Sequence, residues 1–320
     1  MTKTMKNSLM SLAILPLIAF SGCGSSNNND EETVETNLPV LDDAHGHAVT
    51  YAAVAKQRII LEESLDGTEG AQAPRDIDSM TGGNAKETHT APAFTEMNLC
   101  DIHFHISAEH KGGEFTAYAG NGDGEGYGTG YKYAGSLTDA EVATYEHDGS
   151  ELYTNSHNPL ESGDTFEVHY VYTSNLGETL GNSLGTCLVD GSAEYLRVET
   201  QVYVAVNDRD ALDFNELTKV SGTGTESDLY QASNIPSNTG TAIEYAGSTT
   251  GAGYNEEVSP YQVTWNVRPK IAKVDIKTVG EWALDNEFDE DHAHNVRNLV
   301  MNPLLLSPFG SSDSTTSSDH

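Results

Sequence analysis

Residues 100–110 read CDIHFHISAEH, in which His103 and His105 alternate with Ile102, Phe104 and Ile106. Successive side chains on a strand point to opposite faces. The spacing therefore predicts a strand that sends three apolar groups into a core and both imidazoles to the other side. Imidazoles two residues apart on a strand stand about 6–7 Å from each other, close enough to grip one ion. A His-x-His pair facing solvent has the same spacing, so this stretch alone leaves both readings open.

Residues 165–172, TFEVHYVY, put Glu167, His169 and Val171 on one face and Phe166, Val168, Tyr170 and Tyr172 on the other. His169 is the candidate third ligand. Three neutral imidazoles leave a zinc ion its charge and an open fourth position, the arrangement of a catalytic rather than a closed structural site. Ligating imidazoles also need an acceptor for their second N–H. Asp101 lies two residues before His103 and Glu167 two before His169, on the same faces, and both are candidates for that role. Taken singly, either carboxylate reads equally as a surface charge.

Around these stretches, short runs rich in Val, Tyr, Thr and Phe alternate with Gly, Asn, Asp and Ser clusters. Strands are predicted at 99–106, 165–173, 195–206 and 261–267, giving a mainly β domain with a mostly antiparallel sheet. Between residues 48 and 65, Val49, Ala52, Ala53, Ile59 and Ile60 fall at helical spacing, with Gly67 as a stop, and predict one amphipathic helix. Residues 120–130, GNGDGEGYGTG, read as a long hairpin loop. Asp123 and Glu125 would repel a phosphate, and no basic residue lies among them. The stretch 221–242 and the tail after Pro308 read as loop and disorder.

Across the 320 residues, 49 acidic side chains stand against 16 basic ones, a formal net charge of −33. Nucleic acid and anionic lipid surfaces would repel such a chain. Its 15 Tyr and 8 Phe, with Val and Thr throughout, set it apart from an acidic disordered protein and indicate a folded domain with an acidic surface.

Lys3 and Lys6 precede an apolar run from Leu9 to Phe20 that ends in Ser21, Gly22 and Cys23. The run is too short to span a bilayer, which takes roughly 20 residues, and reads as a signal peptide. A small-residue pair before a cysteine resembles the lipobox of bacterial lipoproteins, which implies cleavage and lipidation at Cys23; Phe20 departs from its usual aliphatic residue. The expectation is an exported, membrane-anchored lipoprotein on the periplasmic or cell-surface side. Cys100 and Cys187 then remain as an even pair in an oxidising setting and are expected to form a disulfide.

Four stretches in order carry a family resemblance: AQAPRDID at 71–78, the block from His103 to His110, Glu167-Val-His169, and YAGSTT at 245–250 followed by Thr264-Trp265. The chain resembles the delta-class carbonic anhydrases and, more distantly, the alpha class. Cys100 just before the histidine pair and the late His292-Ala-His294 segment also suit the delta class. The resemblance implies a large central, predominantly antiparallel sheet with short peripheral helices. It further implies one Zn²⁺ per chain on His103, His105 and His169, and reversible hydration of CO₂ to bicarbonate and a proton by zinc-bound hydroxide. Glu109 matches a buried carboxylate that accepts a proton from a threonine, either Thr249 or Thr250. Val171 and Trp265 match walls of an apolar CO₂ pocket. The proton shuttle stays unassigned among His45, His47, His89, His110, His157, His292 and His294, with His110, beside Glu109, read as structural.

Two rival readings account for part of the same residues. A cupin's first motif also runs His-x-His and then Glu, as His103, His105 and Glu109 do, and would bind iron or manganese with Glu109 as a ligand. Its second motif requires Pro-x-Gly before the last histidine, which residues 165–169 lack, and it leaves 245–265 unexplained. A non-catalytic metal-binding surface lipoprotein would show a lost ligand histidine or long His-rich tracts, and neither is present. The expected organisation is a signal peptide at 1–22, a flexible polar linker at 23–44, the carbonic anhydrase domain at 45–306 and a disordered tail at 307–320. No oligomeric state follows from the sequence.

Overall fold

In the computed structural model, the described residues are 49–308 apart from 65–69, 80, 148, 156–157, 177–179, 182–183, 189–192 and 250–253. Cys23, the linker and the far tail lie outside them. The elements are α1 (Tyr51–Glu63), β1 (Asn98–Ile106), β2 (Ala117–Asn121), β3 (Thr129–Lys132), α2 (Glu151–Thr154), β4 (Thr165–Thr173), α3 (Leu184–Leu188), β5 (Leu196–Val206), α4 (Phe214–Leu217), β6 (Val220–Ser221), β7 (Gln231–Ala232), β8 (Ile243–Ser248), β9 (Gln262–Val267), β10 (Ala272–Asp275) and α5 (Ile276–Leu284). No helix among the described residues is long and apolar enough to cross a membrane.

The strand β5, buried along its whole length, is the spine of the sheet. Antiparallel β4 lies on one side of it, with β1 antiparallel beyond, in the order β1-β4-β5-β9-β8. On the other side β9 runs parallel to Arg197–Thr200 and β10 parallel to Tyr203–Val206, while β8 closes that edge antiparallel to β9. The sheet is thus mixed but mostly antiparallel.

The alternation read from the sequence becomes two buried faces. Ile102, Phe104, Ile106, Phe166, Val168 and Tyr170 form one face, covered by α4 and α5. The Phe104 ring lies 6.2 Å from that of Phe214 and 6.1 Å from that of Trp282. Fully burying such a side chain stabilises a fold by about 1.5–3 kcal/mol. Tyr170 and Tyr203 meet there hydroxyl to hydroxyl at 3.1 Å, so neither polar tip is left bare in the core. The opposite face carries Val171, Val198, Val202 and Trp265 beside the histidines.

Cys100 and Cys187 form a disulfide between β1 and α3, with Cα atoms 5.3 Å apart. Thr50 caps α1 by accepting the Ala53 amide at 3.3 Å, and Leu61 buries against Val300, Leu305 and Leu306. Glycines 120–130 turn the β2–β3 hairpin as expected. Gly126 there, at φ 104°, also faces Tyr254 and Asn295 so closely that a Cβ would lie 2.7–2.8 Å from them. The region 221–242 is not wholly loop, since β6 and β7 pair within and beside it. Ser307 is buried, and its carbonyl accepts from Arg75 at 2.9 Å.

Candidate metal centre

The β1–β4 ladder sets His103 directly opposite His169 and His105 opposite Glu167. His103 Nε2 and His105 Nε2 both approach His169 Nδ1, at 3.2 and 3.3 Å. Each remaining ring nitrogen is held by an acceptor: His103 Nδ1 by Asp101 Oδ2 at 2.7 Å, His105 Nδ1 by the Asn295 carbonyl at 2.8 Å, and His169 Nε2 by Glu167 Oε1 at 2.7 Å. These bonds aim the three free nitrogens at one point, and the three histidines form a group able to hold a metal ion.

Burial, with the imidazoles of His169, His103 and His294 beside it, holds His105 well below the ordinary histidine range, and burial brings His169 down to about 4 despite Glu167. Both are neutral at pH 7 and keep a lone pair to donate. His103 goes the other way: against the effect of burial, Asp101 raises it.

Glu167 is fully buried and also receives the His110 backbone amide at 3.1 Å and His110 Nδ1 at 2.7 Å. His110 Nε2 in turn meets the Tyr245 hydroxyl at 2.6 Å. Against the cost of burial, His110 and His169 keep Glu167 well below the usual carboxylate range. A continuous line from His169 through Glu167 and His110 to Tyr245 thus fixes the third imidazole, and His110 sits where a structural group would.

Glu109 lies near the outer nitrogens, its Oε1 3.8 Å from His105 Nδ1 and its Oε2 3.9 Å from His169 Nε2. This is away from the point where the free nitrogens converge, unlike the ligand of a cupin. Burial and nearby Glu167 push its carboxyl up to about 7. A cavity of about 120 Å³ opens over the histidines, walled by Val171, Val198 and Trp265 and reached by Glu109, Thr249 and Arg297. The Thr249 hydroxyl is buried with no hydrogen-bond partner among the described residues. Thr250 lies outside them.

Among the histidines eligible to move protons, two stand beside the site. The His294 ring is 4.9 Å from that of His103 and stacks at 5.6 Å on His292. Side-chain exposure rises from 19% at His103 to 35% at His294 and 45% at His292, so the three rings lead outward. His89 lines a separate depression with Tyr195 and Tyr261; His45, His47 and His157 are outside the described residues.

Asn295 and Arg297 were not singled out in the sequence. The segment between them is fixed by Val296 N–H to the Gly126 carbonyl at 2.8 Å, and by the Tyr254 hydroxyl, which donates to the Val296 carbonyl. The glycine hairpin therefore supports the carbonyl that orients His105.

Three convergent, individually oriented imidazoles under an apolar cavity make a site able to hold a metal ion and open to a small substrate. The family model of the delta carbonic anhydrases matches residues 94–278, and the chain belongs to that family. It is a carbonic anhydrase, an enzyme that interconverts CO₂ and bicarbonate. Among solved structures, the Photobacterium profundum alpha-carbonic anhydrase is similar at 16% identity, over 72% of this chain and 86% of that one, with a TM-score of 0.24. No curated protein matched the sequence.

Proposed function

We propose that the centre holds one zinc ion on His103 Nε2, His105 Nε2 and His169 Nδ1, and that CO₂ is hydrated above it. The spacing of those nitrogens supports this reading. Zinc–nitrogen bonds of about 2.0–2.1 Å at tetrahedral angles put ligand atoms about 3.3 Å apart, and the two observed separations are 3.2 and 3.3 Å. Bound there, zinc supplies the Lewis acidity that makes water nucleophilic at neutral pH.

The protein's own groups do the rest. Asp101, Asn295 and Glu167 fix ring tautomers and angles, so little reorganisation accompanies turnover. Val171, Val198 and Trp265 offer CO₂ an apolar wall that exchanges it readily for water. With zinc bound, the hydroxyl of Thr249 or Thr250 would accept a hydrogen bond from the nucleophile and turn its own proton to Glu109, aiming the attacking lone pair at carbon; the Thr249 hydroxyl has no partner among the described residues that would oppose this.

The same reading places lipid on Cys23 after removal of 1–22, a linker over 23–44, and a domain over 45–306 on the periplasmic or cell-surface side. Stopped-flow CO₂ hydration on protein starting after Cys23, beside elemental analysis and a chelated control, tests the activity and the metal together. Fast hydration that tracks zinc content is expected. Bound zinc without hydration would favour a non-catalytic surface module. Labelled fatty acid incorporated into wild-type but not Cys23→Ser protein tests the anchor.

A further inference from the structure

Arg297 touches both groups that the proposed chemistry must keep in register, and does so through different atoms. Its backbone N–H donates to Glu109 Oε1 at 2.9 Å, while guanidinium Nη1 donates to the Thr249 carbonyl at 2.7 Å and the Ala73 carbonyl at 3.3 Å. The Thr249 N–H is separately held by the Tyr261 carbonyl at 3.2 Å. With amide and carbonyl both pinned, the Thr249 Cα–Cβ direction is fixed, and its hydroxyl is left free in the cavity.

Arg297 is only 4% exposed, and its Nε is buried without a partner among the described residues. Drying a guanidinium is costly unless its remaining contacts use it. An apolar side chain would fill the same space at less cost, so packing alone does not account for the residue. The contacts it does make run to Glu109, to Thr249 and to Ala73 on the cavity wall.

We propose that Arg297 is a positioning residue that sets Thr249 relative to Glu109, so that the site favours a metal-bound group still carrying a hydrogen over one that carries none. This rests on the metal-centre reading. It identifies the residue that makes the hydroxyl selective, and commits to Thr249 as that hydroxyl.

The test uses the cobalt(II)-loaded protein, titrated in the visible range with hydrosulfide, which keeps a hydrogen to offer Thr249, and with thiocyanate, which has none. Arg297→Met should retain cobalt, bind thiocyanate within about twofold of wild type, and lose about tenfold or more in hydrosulfide affinity. Thr249→Val should show the same pattern. Equal losses for both anions, no loss for either, or a silent Thr249→Val overturns the proposal. A wild-type protein that takes up no cobalt overturns the metal-centre reading beneath it, whereas cobalt uptake with unchanged selectivity overturns the Arg297 assignment alone. Should Arg297→Met fail to fold, Arg297→Gln, too short to reach the Thr249 carbonyl, carries the same expectations.

Discussion

His103 and His169 are direct partners across the β1–β4 ladder, and their facing nitrogens, Nε2 and Nδ1, stand 3.2 Å apart. Because β1 and β4 supply all three convergent nitrogens, removing the one histidine on β4 breaks the site without touching the two on β1. His169→Ala should fold, retain no metal after dialysis, and lose CO₂ hydration. Full zinc occupancy in that variant would refute the ligand set.

Glu167 bonds both His169 and His110 from a fully buried position. Glu167→Ala leaves two imidazoles without their acceptor. Metal affinity should fall about 10–100-fold, as is usual when an outer partner of a ligand is lost. Competition with a chromophoric chelator measures this; unchanged affinity would show that the carboxylate does not orient His169.

Val171 is 4% exposed and walls the cavity over the histidines. Val171→Phe should fill that cavity, costing about 1–3 kcal/mol from overpacking. Zinc content should stay whole while kcat/KM for CO₂ drops by at least about tenfold, or ~1.4 kcal/mol in the barrier. Normal kcat/KM with an unchanged metal complement would mean that CO₂ binds elsewhere.

In the metal-free protein, His105 and His169 are held below the ordinary histidine value, His169 at about 4. The unfolded chain therefore takes up protons that the folded one refuses as pH falls from about 6.5 to 4. Their contribution is complete above pH 6.5 and lost on acidification. Glu109, raised to about 7, works in reverse, since its contribution is complete below about pH 4.5 and lost as pH rises through 7. Glu109→Gln should accordingly make the chelated protein gain stability more steeply than wild type between pH 4.5 and 7. Urea unfolding across that range decides it, and parallel curves for the two proteins would contradict the shift on Glu109.

The disulfide closes a loop with a sequence separation of 87. A closure of that length stabilises the folded state by about 4–5 kcal/mol in the chain-entropy account. Cys187→Ser should lower the unfolding free energy by up to that amount. A change of under about 1 kcal/mol would mean that the cross-link does little to restrict the unfolded chain.

Much of this was legible because strand alternation is a local property. Ile102, Phe104 and Ile106 against His103 and His105 gave the two faces of β1, and TFEVHYVY gave those of β4. Register was not legible, since nothing in either stretch says that residue 103 meets 169. Helix α5 escaped because Ile276, Thr278 and Val279 are β-branched and suit a strand as well. The acceptor for His105 escaped for another reason: it is the backbone carbonyl of Asn295, and a carbonyl leaves no mark on sequence. Arg297 was hidden likewise, since one of its two roles is played by a backbone N–H.

The distance along the chain between His105 and the Asn295 carbonyl, 190 residues, has a consequence for biosynthesis. At about 5–20 residues per second, a ribosome takes roughly 10–40 s to travel that far. Throughout that interval the nascent chain displays its imidazoles with His105 unsupported and Glu109 lacking the amide of Arg297. Until then Asp101 and Glu167 can hold His103 and His169, and only the third imidazole waits for its acceptor.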